Sequence, residues 1–148
     1  MQIGKACKLA ALALALVALA MFVPKSPAKA DESGNRAAVE AVISQQMEAF
    51  KRDDAAAAYA FASPGIKALF PDPGSFIAMV QRSYAPVYRP KSVAFGELKA
   101  TADGLSQTVA IIDSDGAAWT AIYTLARDPD GQWRITGCVL LKTPETSA

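Results

Sequence analysis

The sequence predicts an α+β domain in which N-terminal helices pack on a curved meander of four antiparallel strands. Apolar residues recur at three- and four-residue spacing in the first part of the chain, which is typical of amphipathic helices. Near Pro86 this pattern gives way to apolar runs separated by Asp-Gly pairs, which favour the positive φ of tight hairpins. Residues 31–148 are enough for one such domain with its own core.

The first helix is predicted from about Arg36 to Arg52. Its apolar face carries five residues at helical spacing, which are Val39, Val42, Ile43, Met47 and Phe50. The pair Asp53-Asp54 then opens an alanine-rich second helix that ends at Phe61, because a short carboxylate caps the exposed amide groups of a helix start.

Two further helices are predicted where a capping residue precedes a proline. Ser63-Pro64 opens a helix that ends at Phe70, and Asp72-Pro73 opens another that ends at Ser83. After them, two prolines predict an extended connection over Tyr84 to Pro90 between the helical and strand halves.

Asp-Gly pairs at residues 103–104, 115–116 and 130–131 separate four predicted strands. The strands lie near Ser92 to Ala100, Leu105 to Asp113, Ala117 to Arg127 and Gln132 to Lys142. Calcium binding is not expected at the acidic turns, because the full calcium-binding loop with its closing glutamate is missing.

Strict alternation assigns the side chains of the last two strands to faces of the sheet. One face of the third strand carries Trp119, Ala121, Tyr123 and Leu125. The same rule puts one set of fourth-strand side chains on one face, namely Trp133, Ile135, Val139 and Leu141. The other face of that strand carries Thr136, Cys138 and Leu140. Neither face is plainly polar, and the helices of so short a chain cover only one, so we expect a homodimer through the other.

The first thirty residues have the three-part pattern of a secretory signal peptide. Lys5 and Lys8 form a basic start, the apolar run Leu9 to Val23 follows, and Ala28-Lys29-Ala30 precedes the expected cleavage ahead of Asp31. A retained membrane anchor is the alternative, but this run of 15 residues is shorter than the roughly 20 that a spanning helix needs. We therefore expect a periplasmic or secreted protein without a stable membrane anchor after cleavage.

Loss of the leader would also change the charge of the protein. The chain has 15 basic and 14 acidic residues, and four of the lysines lie in the leader. The remainder has an acidic excess and no run of Lys or Arg, so neither a nucleic-acid partner nor a basic membrane-binding face is expected.

Few kinds of catalytic site can be built from this sequence, because the chain has no histidine. Ser-His-Asp and Cys-His arrangements are therefore excluded, as are histidine-based zinc and iron sites. A glycine-rich phosphate loop is also missing, so we assign no catalytic residue, metal or cofactor. After cleavage Cys138 is the single cysteine, which we expect to be an inert core residue, with a reactive thiol as the alternative.

Several short motifs resemble a bacterial family of unknown function, domain of unknown function 4864. They are Val42-Ile43, Gln46, Ala49-Phe50, Asp54, Ala58, Phe61-Ala62-Ser63-Pro64, Met79-Val80, Pro86-Val87-Tyr88-Arg89-Pro90 and Trp133-Arg134-Ile135-Thr136-Gly137-Cys138. The resemblance covers about Val39 to Lys142. More distantly, the layout resembles the nuclear transport factor 2-like, or cystatin-like, cone. That resemblance implies helices that close over the concave side of the sheet and leave a pocket, but no particular reaction.

Four residues are candidates for ligand binding, namely Tyr88, Arg89, Tyr123 and Asp54. A fixed Arg89 guanidinium suits a carboxylate or phosphate. Alternatively, it stacks on an aromatic ring or pairs with an acid to hold the chain crossing. The alternative for each tyrosine is a core or rim position, and for Asp54 it is a helix cap.

Two functions follow from these residues. The first is an exported, non-enzymatic module that binds a small apolar or acidic molecule in an aromatic pocket, or another protein on its sheet. The second is an isomerase- or dehydratase-like enzyme that works through a tyrosine and a carboxylate. A pocket with an acid beside a tyrosine hydroxyl would favour the enzyme.

Overall fold

Five helices precede four strands in the computed structural model, which describes residues 27–144. The helices are α1 (Pro27–Lys51), α2 (Ala55–Ala60), α3 (Pro64–Leu69), α4 (Pro73–Ser83) and α5 (Ala85–Tyr88). The strands are β1 (Ser92–Ala100), β2 (Leu105–Ile112), β3 (Ala118–Arg127) and β4 (Trp133–Lys142). The predicted α+β class is confirmed.

Most of the expected leader lies outside the described residues. Within the described part of the chain, no helix combines the length and apolarity that a membrane crossing requires.

The four strands form one antiparallel sheet in the order β1-β2-β3-β4. Two of the three Asp-Gly pairs have glycine at the predicted positive φ, Gly116 at 87° and Gly131 at 80°, whereas Gly104 of the first pair does not. Asp113 holds the Gly116 turn, because its Oδ1 accepts hydrogen bonds from the amides of Asp115 and Ala117, each at 2.9 Å. Its Oδ2 accepts a hydrogen bond of 2.7 Å from the Trp119 indole.

The core lies between the helices and the concave face of the sheet. From α1 the buried side chains include Val39, Ile43, Met47 and Phe50, which are four of the five residues predicted for its apolar face. They pack with buried side chains of the sheet, including Val109, Ile111, Tyr123 and Leu125. Burial of an aliphatic side chain of this size stabilises the fold by roughly 1.5–3 kcal/mol.

Helix α1 begins at Pro27, nine residues before the predicted start at Arg36. The prediction relied on apolar periodicity, which is present only where a helix packs on a core. In α1 the first residue described as buried is Val39. The preceding turns project beyond the core, so they give no periodic signal.

The prediction of an extended Tyr84–Pro90 connection was wrong, because the chain forms helix α5 there. Pro86 lies in the first turn of α5, where a missing amide hydrogen breaks no helical hydrogen bond. Pro86, Val87 and Tyr88 are buried, so packing supports this short helix.

The predicted alternation of β4 was also wrong beyond Ile135. The pairing of β3 with β4 shifts register between Thr124 and Leu125, so β4 has one extra residue opposite that point. A bulge of this kind moves every later side chain to the other face. Cys138, which pairs with buried Tyr123, therefore faces the core, as does Leu140, whereas Val139 and Leu141 are 55% and 51% exposed.

Asp53 connects the break between α1 and α2 to the end of α5. Its φ of 56° lies in the left-handed region, which turns the chain out of α1. Its carboxylate accepts a hydrogen bond from the Tyr88 hydroxyl and pairs with Arg89 at 2.6 Å. Gln81 donates a further hydrogen bond of 3.0 Å to the Tyr88 oxygen. We refer to these four residues as the Asp53 junction.

The charge of Asp53 is stabilised within this junction. Hydrogen bonds from Tyr88 and then Arg89 hold the pKa of Asp53 below its ordinary value of 3.8. The contribution of Asp53 to stability is therefore complete above pH 3.8 and is lost as the pH falls through the pKa of the folded state.

Replacement of Tyr88 by phenylalanine tests the Asp53 junction. Tyr88→Phe removes a hydrogen bond to a carboxylate, so we expect the free energy of unfolding to fall by about 1 kcal/mol near neutral pH. That loss should shrink as the pH falls through the pKa of Asp53 in the folded state, because protonation removes the charge that the Tyr88 hydroxyl stabilises. Urea denaturation at about pH 7 and about pH 2.5 measures both values.

Tyr59→Phe is the matched control. The Tyr59 hydroxyl donates a hydrogen bond of 2.6 Å to the backbone carbonyl of Phe70, which does not titrate. Its loss should cost the same at both pH values. An equal cost of Tyr88→Phe in neutral and acidic solution would contradict the role assigned to Asp53.

Candidate functional site

A cavity of about 430 Å³ lies between helices α3 and α4 and strand β4. Most of its wall is aromatic or aliphatic, with contributions from Phe50, Phe70, Phe76, Met79, Val80 and Val87. Ser83 and Thr136 are exposed and mark its rim. The volume and apolar wall are those of a small-molecule site.

Helix α4 supplies one wall of the cavity. Asp72 caps the helix by accepting a hydrogen bond of 2.8 Å from the Ser75 amide, and Pro73 occupies its first turn. Phe76 and Val80 are four residues apart and therefore share a face, which turns inward and is buried. The capping signal in the sequence thus fixes where α4 begins, and the spacing of Phe76 and Val80 determines which side of the helix meets the cavity.

Phe76 is the centre of an aromatic cluster in this wall. Its ring centroid lies 6.3 Å from that of Phe50, 5.6 Å from that of Tyr59 and 6.4 Å from that of Phe70. The hydrogen bond from Tyr59 to the Phe70 carbonyl holds the end of α3 against this cluster. Rings packed in this way form a preorganised apolar surface.

Tyr123 and Cys138 are neighbouring polar groups in the opposite wall. They are register partners on β3 and β4, and both line the cavity. Burial is the main reason that the pKa of Tyr123 is well above its ordinary value, and burial raises the pKa of Cys138 to about 12. Both groups are therefore un-ionised near neutral pH, which favours the inert thiol expected for Cys138 over the reactive one.

Gln46 adds a buried amide to the cavity wall. It lies on the apolar face of α1 and is 4% exposed, and its Nε2 donates a hydrogen bond of 3.1 Å to the Ala58 carbonyl. Gln46 is part of the motifs that resemble the family, but it was not predicted to belong to the site. A polar residue three positions after Ile43 and one before Met47 was a usable signal, because it interrupts an apolar stripe.

No charged side chain lines the cavity within the described residues. Groups of three or more His, Cys, Asp or Glu residues that would suit a metal ion are also absent from this part of the chain. The cavity can therefore offer shape, apolar surface and neutral hydrogen-bonding groups to a ligand.

The structure does not bring the four candidate ligand-binding residues together. Tyr123 lines the cavity, whereas Tyr88 and Arg89 belong to the Asp53 junction. The Arg89 guanidinium also lies 5.5 Å from the centroid of the Tyr88 ring, so it both pairs with an acid and stacks. Asp54 caps α2 by accepting a hydrogen bond of 3.0 Å from the Ala57 amide.

A surface groove of about 540 Å³ lies beside α3 and the turn between β3 and β4. Leu69, which is 75% exposed, lies along it. Arg134 in this groove pairs with two acids, since its Nε lies 3.2 Å from Asp128 and its Nη2 lies 3.3 Å from Asp130 outside the lining. The cavity is therefore the stronger candidate site, because its wall is mostly apolar and buried and includes the unpartnered Tyr123 hydroxyl.

Comparison with known structures shows the fold of this chain. An NTF-2-like protein of unknown function from Silicibacter pomeroyi DSS-3 is 20% identical, with a TM-score of 0.53. The match covers 76% of this chain and 98% of that chain. Identity this low shows the fold alone, which confirms the predicted resemblance to the nuclear transport factor 2-like cone.

Comparison with sequence families identifies the chain more closely. No curated protein matches it. The model of a family described as a domain of unknown function, DUF4864, matches residues 32–148. The chain therefore belongs to the DUF4864 family.

Proposed function

We propose that this protein is a non-catalytic module that binds a small apolar molecule in the cavity between α3, α4 and β4. The observation that carries this proposal is a cavity of about 430 Å³ with an aromatic and aliphatic wall. Binding of an apolar ligand to such a wall is favourable, because it removes apolar surface from water. The absence of a cation from the described lining favours an apolar ligand over the acidic one considered from the sequence.

The alternative, an isomerase or dehydratase, needs a carboxylate within reach of a substrate held by a tyrosine. Tyr123 lines the cavity, but no Asp or Glu is among its described lining residues. The carboxylates of Asp53 and Asp54 have other partners, in the Asp53 junction and at the start of α2. This distribution of acids favours binding over proton transfer.

Titration with the neutral fluorescent dye α-aminoanthracene tests the binding function. We expect saturable fluorescence enhancement, because the dye matches an uncharged aromatic cavity. Ser83→Trp, at the rim, should weaken dye binding about tenfold or more by blocking the entrance. Arg82→Trp is the matched control, since Arg82 is exposed and does not line the cavity.

Two results would contradict the binding function. One is fluorescence that rises linearly without saturation in the unsubstituted protein. The other is an equal loss of affinity in the Ser83→Trp and Arg82→Trp variants, which would place the dye outside the cavity.

We also propose that the protein is exported after cleavage ahead of Asp31. The basic start, apolar run and small residues before position 31 support this. Since the first described buried residue of α1 is Val39, cleavage would leave the core contacts of that helix in place. Asp31 and Glu32 would then lie near the positive end of the shortened helix.

Amino-terminal sequencing of the protein recovered from the periplasm or medium tests export. A sequence that begins Asp-Glu-Ser is the expected result. Soluble cytosolic protein that retains Met1 would contradict both export and cleavage.

Finally, we propose a homodimer through the outer face of the sheet, opposite the helices. Nine uncharged side chains from three strands share this face with Gly137, namely Thr108, Ala110, Ile112, Ala118, Thr120, Ile122, Thr124, Val139 and Leu141. An uncharged patch can meet its own copy across a two-fold axis without repulsion between like charges. The exposure of Val139 and Leu141 favours a second copy as its cover.

Light scattering at about 50 μM, a concentration suited to modest interfaces, tests the dimer. We expect twice the monomer mass for the unsubstituted protein and the monomer mass for Val139→Lys. Leu69→Lys is the control, because it changes an exposed apolar residue on α3 and should leave the dimer intact. A monomer without any substitution would contradict this proposal.

A further inference from the structure

The Tyr123 hydroxyl is a buried hydrogen-bond donor without a partner. Tyr123 is 2% exposed, and its oxygen makes no hydrogen bond within the described residues. A buried hydroxyl that leaves its hydrogen bond unmade costs roughly 1–3 kcal/mol. Buried polar groups of this kind are rare in folded proteins, and one that lines a cavity indicates an acceptor brought by a ligand.

The polar neighbours of Tyr123 do not meet this need. The Cys138 thiol lies beside it, but sulfur is a weak acceptor and a weak donor. The Gln46 amide nitrogen donates to Ala58, and the Thr136 hydroxyl donates to the Thr124 hydroxyl at 2.9 Å. Within the described residues the phenol is therefore left with a weak sulfur neighbour rather than a strong acceptor.

We propose that Tyr123 is the specificity-determining residue of the cavity, and that it donates its hydroxyl hydrogen to a neutral carbonyl oxygen of the bound apolar molecule. This inference rests on the proposed binding function and names the ligand class. The ligand has an apolar body that fills the aromatic wall and a ketone, aldehyde, ester or amide oxygen that reaches Tyr123.

A neutral carbonyl fits this environment better than a carboxylate. An ionised group placed in the cavity would lose its hydration without meeting a cation, and that loss is far more costly than the loss for a neutral oxygen. Arg89, the cation proposed from the sequence for acidic ligands, is held by Asp53 outside the cavity lining. Tyr123 also stays protonated near neutral pH, because burial raises its pKa.

Three naphthalene probes of similar shape test the inference by displacement of α-aminoanthracene. They are the β-isomers of acetylnaphthalene, which carries a ketone, isopropylnaphthalene, which lacks the oxygen, and naphthoate, which carries a charge. In the unsubstituted protein we expect acetylnaphthalene to bind tightest and naphthoate weakest at neutral pH. Tyr123→Phe should weaken acetylnaphthalene about tenfold, the size of one lost hydrogen bond, and change isopropylnaphthalene by less than about twofold.

A measurement on the unsubstituted protein makes the test independent of whether Tyr123→Phe folds. The infrared stretching frequency of a ¹³C-labelled ketone falls when its oxygen accepts a hydrogen bond. We expect bound acetylnaphthalene to absorb at lower frequency than the same probe in hexane. A frequency equal to that in hexane would overturn the inference.

The outcomes separate this inference from the binding function beneath it. If neither the dye nor any naphthalene binds, the binding function itself fails. If the dye and isopropylnaphthalene bind but acetylnaphthalene gains nothing from Tyr123, only the inference fails. Tighter binding of naphthoate than of acetylnaphthalene would likewise overturn the neutral-carbonyl class while leaving the cavity as a binding site.

Discussion

The packing of α1 across the concave face of the sheet is the contact on which the rest of the structure depends. Val39, Ile43, Met47 and Phe50 bury one face of the helix in a core that it shares with the sheet, where β4 is the strand that α1 meets most closely. Helices α2 and α5 pack on α1, α4 packs on α2 and α5, and α3 contacts β4. Because α3 and α4 meet β4 around an unfilled space, the same arrangement that makes the core also leaves the cavity.

The polar groups of this protein divide into two sets with different physical roles. Charged side chains such as Asp53 and Arg89 pair with each other where water can reach them, so they hold the chain crossings. Uncharged polar groups, Gln46, Tyr123 and Cys138, lie along the cavity, where a charge would be costly. Membership of a family of unknown function and a cone-like fold are compatible with many activities. The proposed function therefore rests on this division of charge, together with the cavity.

Local chemistry made much of the fold predictable from the sequence. The capping pairs Ser63-Pro64 and Asp72-Pro73 located two helices at their first residues, and the Asp-Gly pairs placed the hairpins. The β4 bulge escaped prediction, because an extra residue depends on how two strands pair rather than on the composition of one. The alternation within β3 is a local pattern, so it assigned Tyr123 to a face of the sheet. The partner of Arg89 is not a local feature and was not predicted. Asp53 and Arg89 are 36 residues apart, and only the folded chain brings them together.

The bulge in β4 also constrains how this family can vary. Beyond it, consecutive residues alternate between the inside and the outside of the protein, with Cys138 and Leu140 inside and Val139 and Leu141 outside. These four side chains are all compact and mostly apolar. Replacing one of them by another residue of the same kind would therefore change the size and polarity at that position only slightly. Loss or gain of a single codon between 138 and 142 would instead turn the interior residues outward and the exterior ones inward. For this strand, the number of residues should be under stronger selection than their identity.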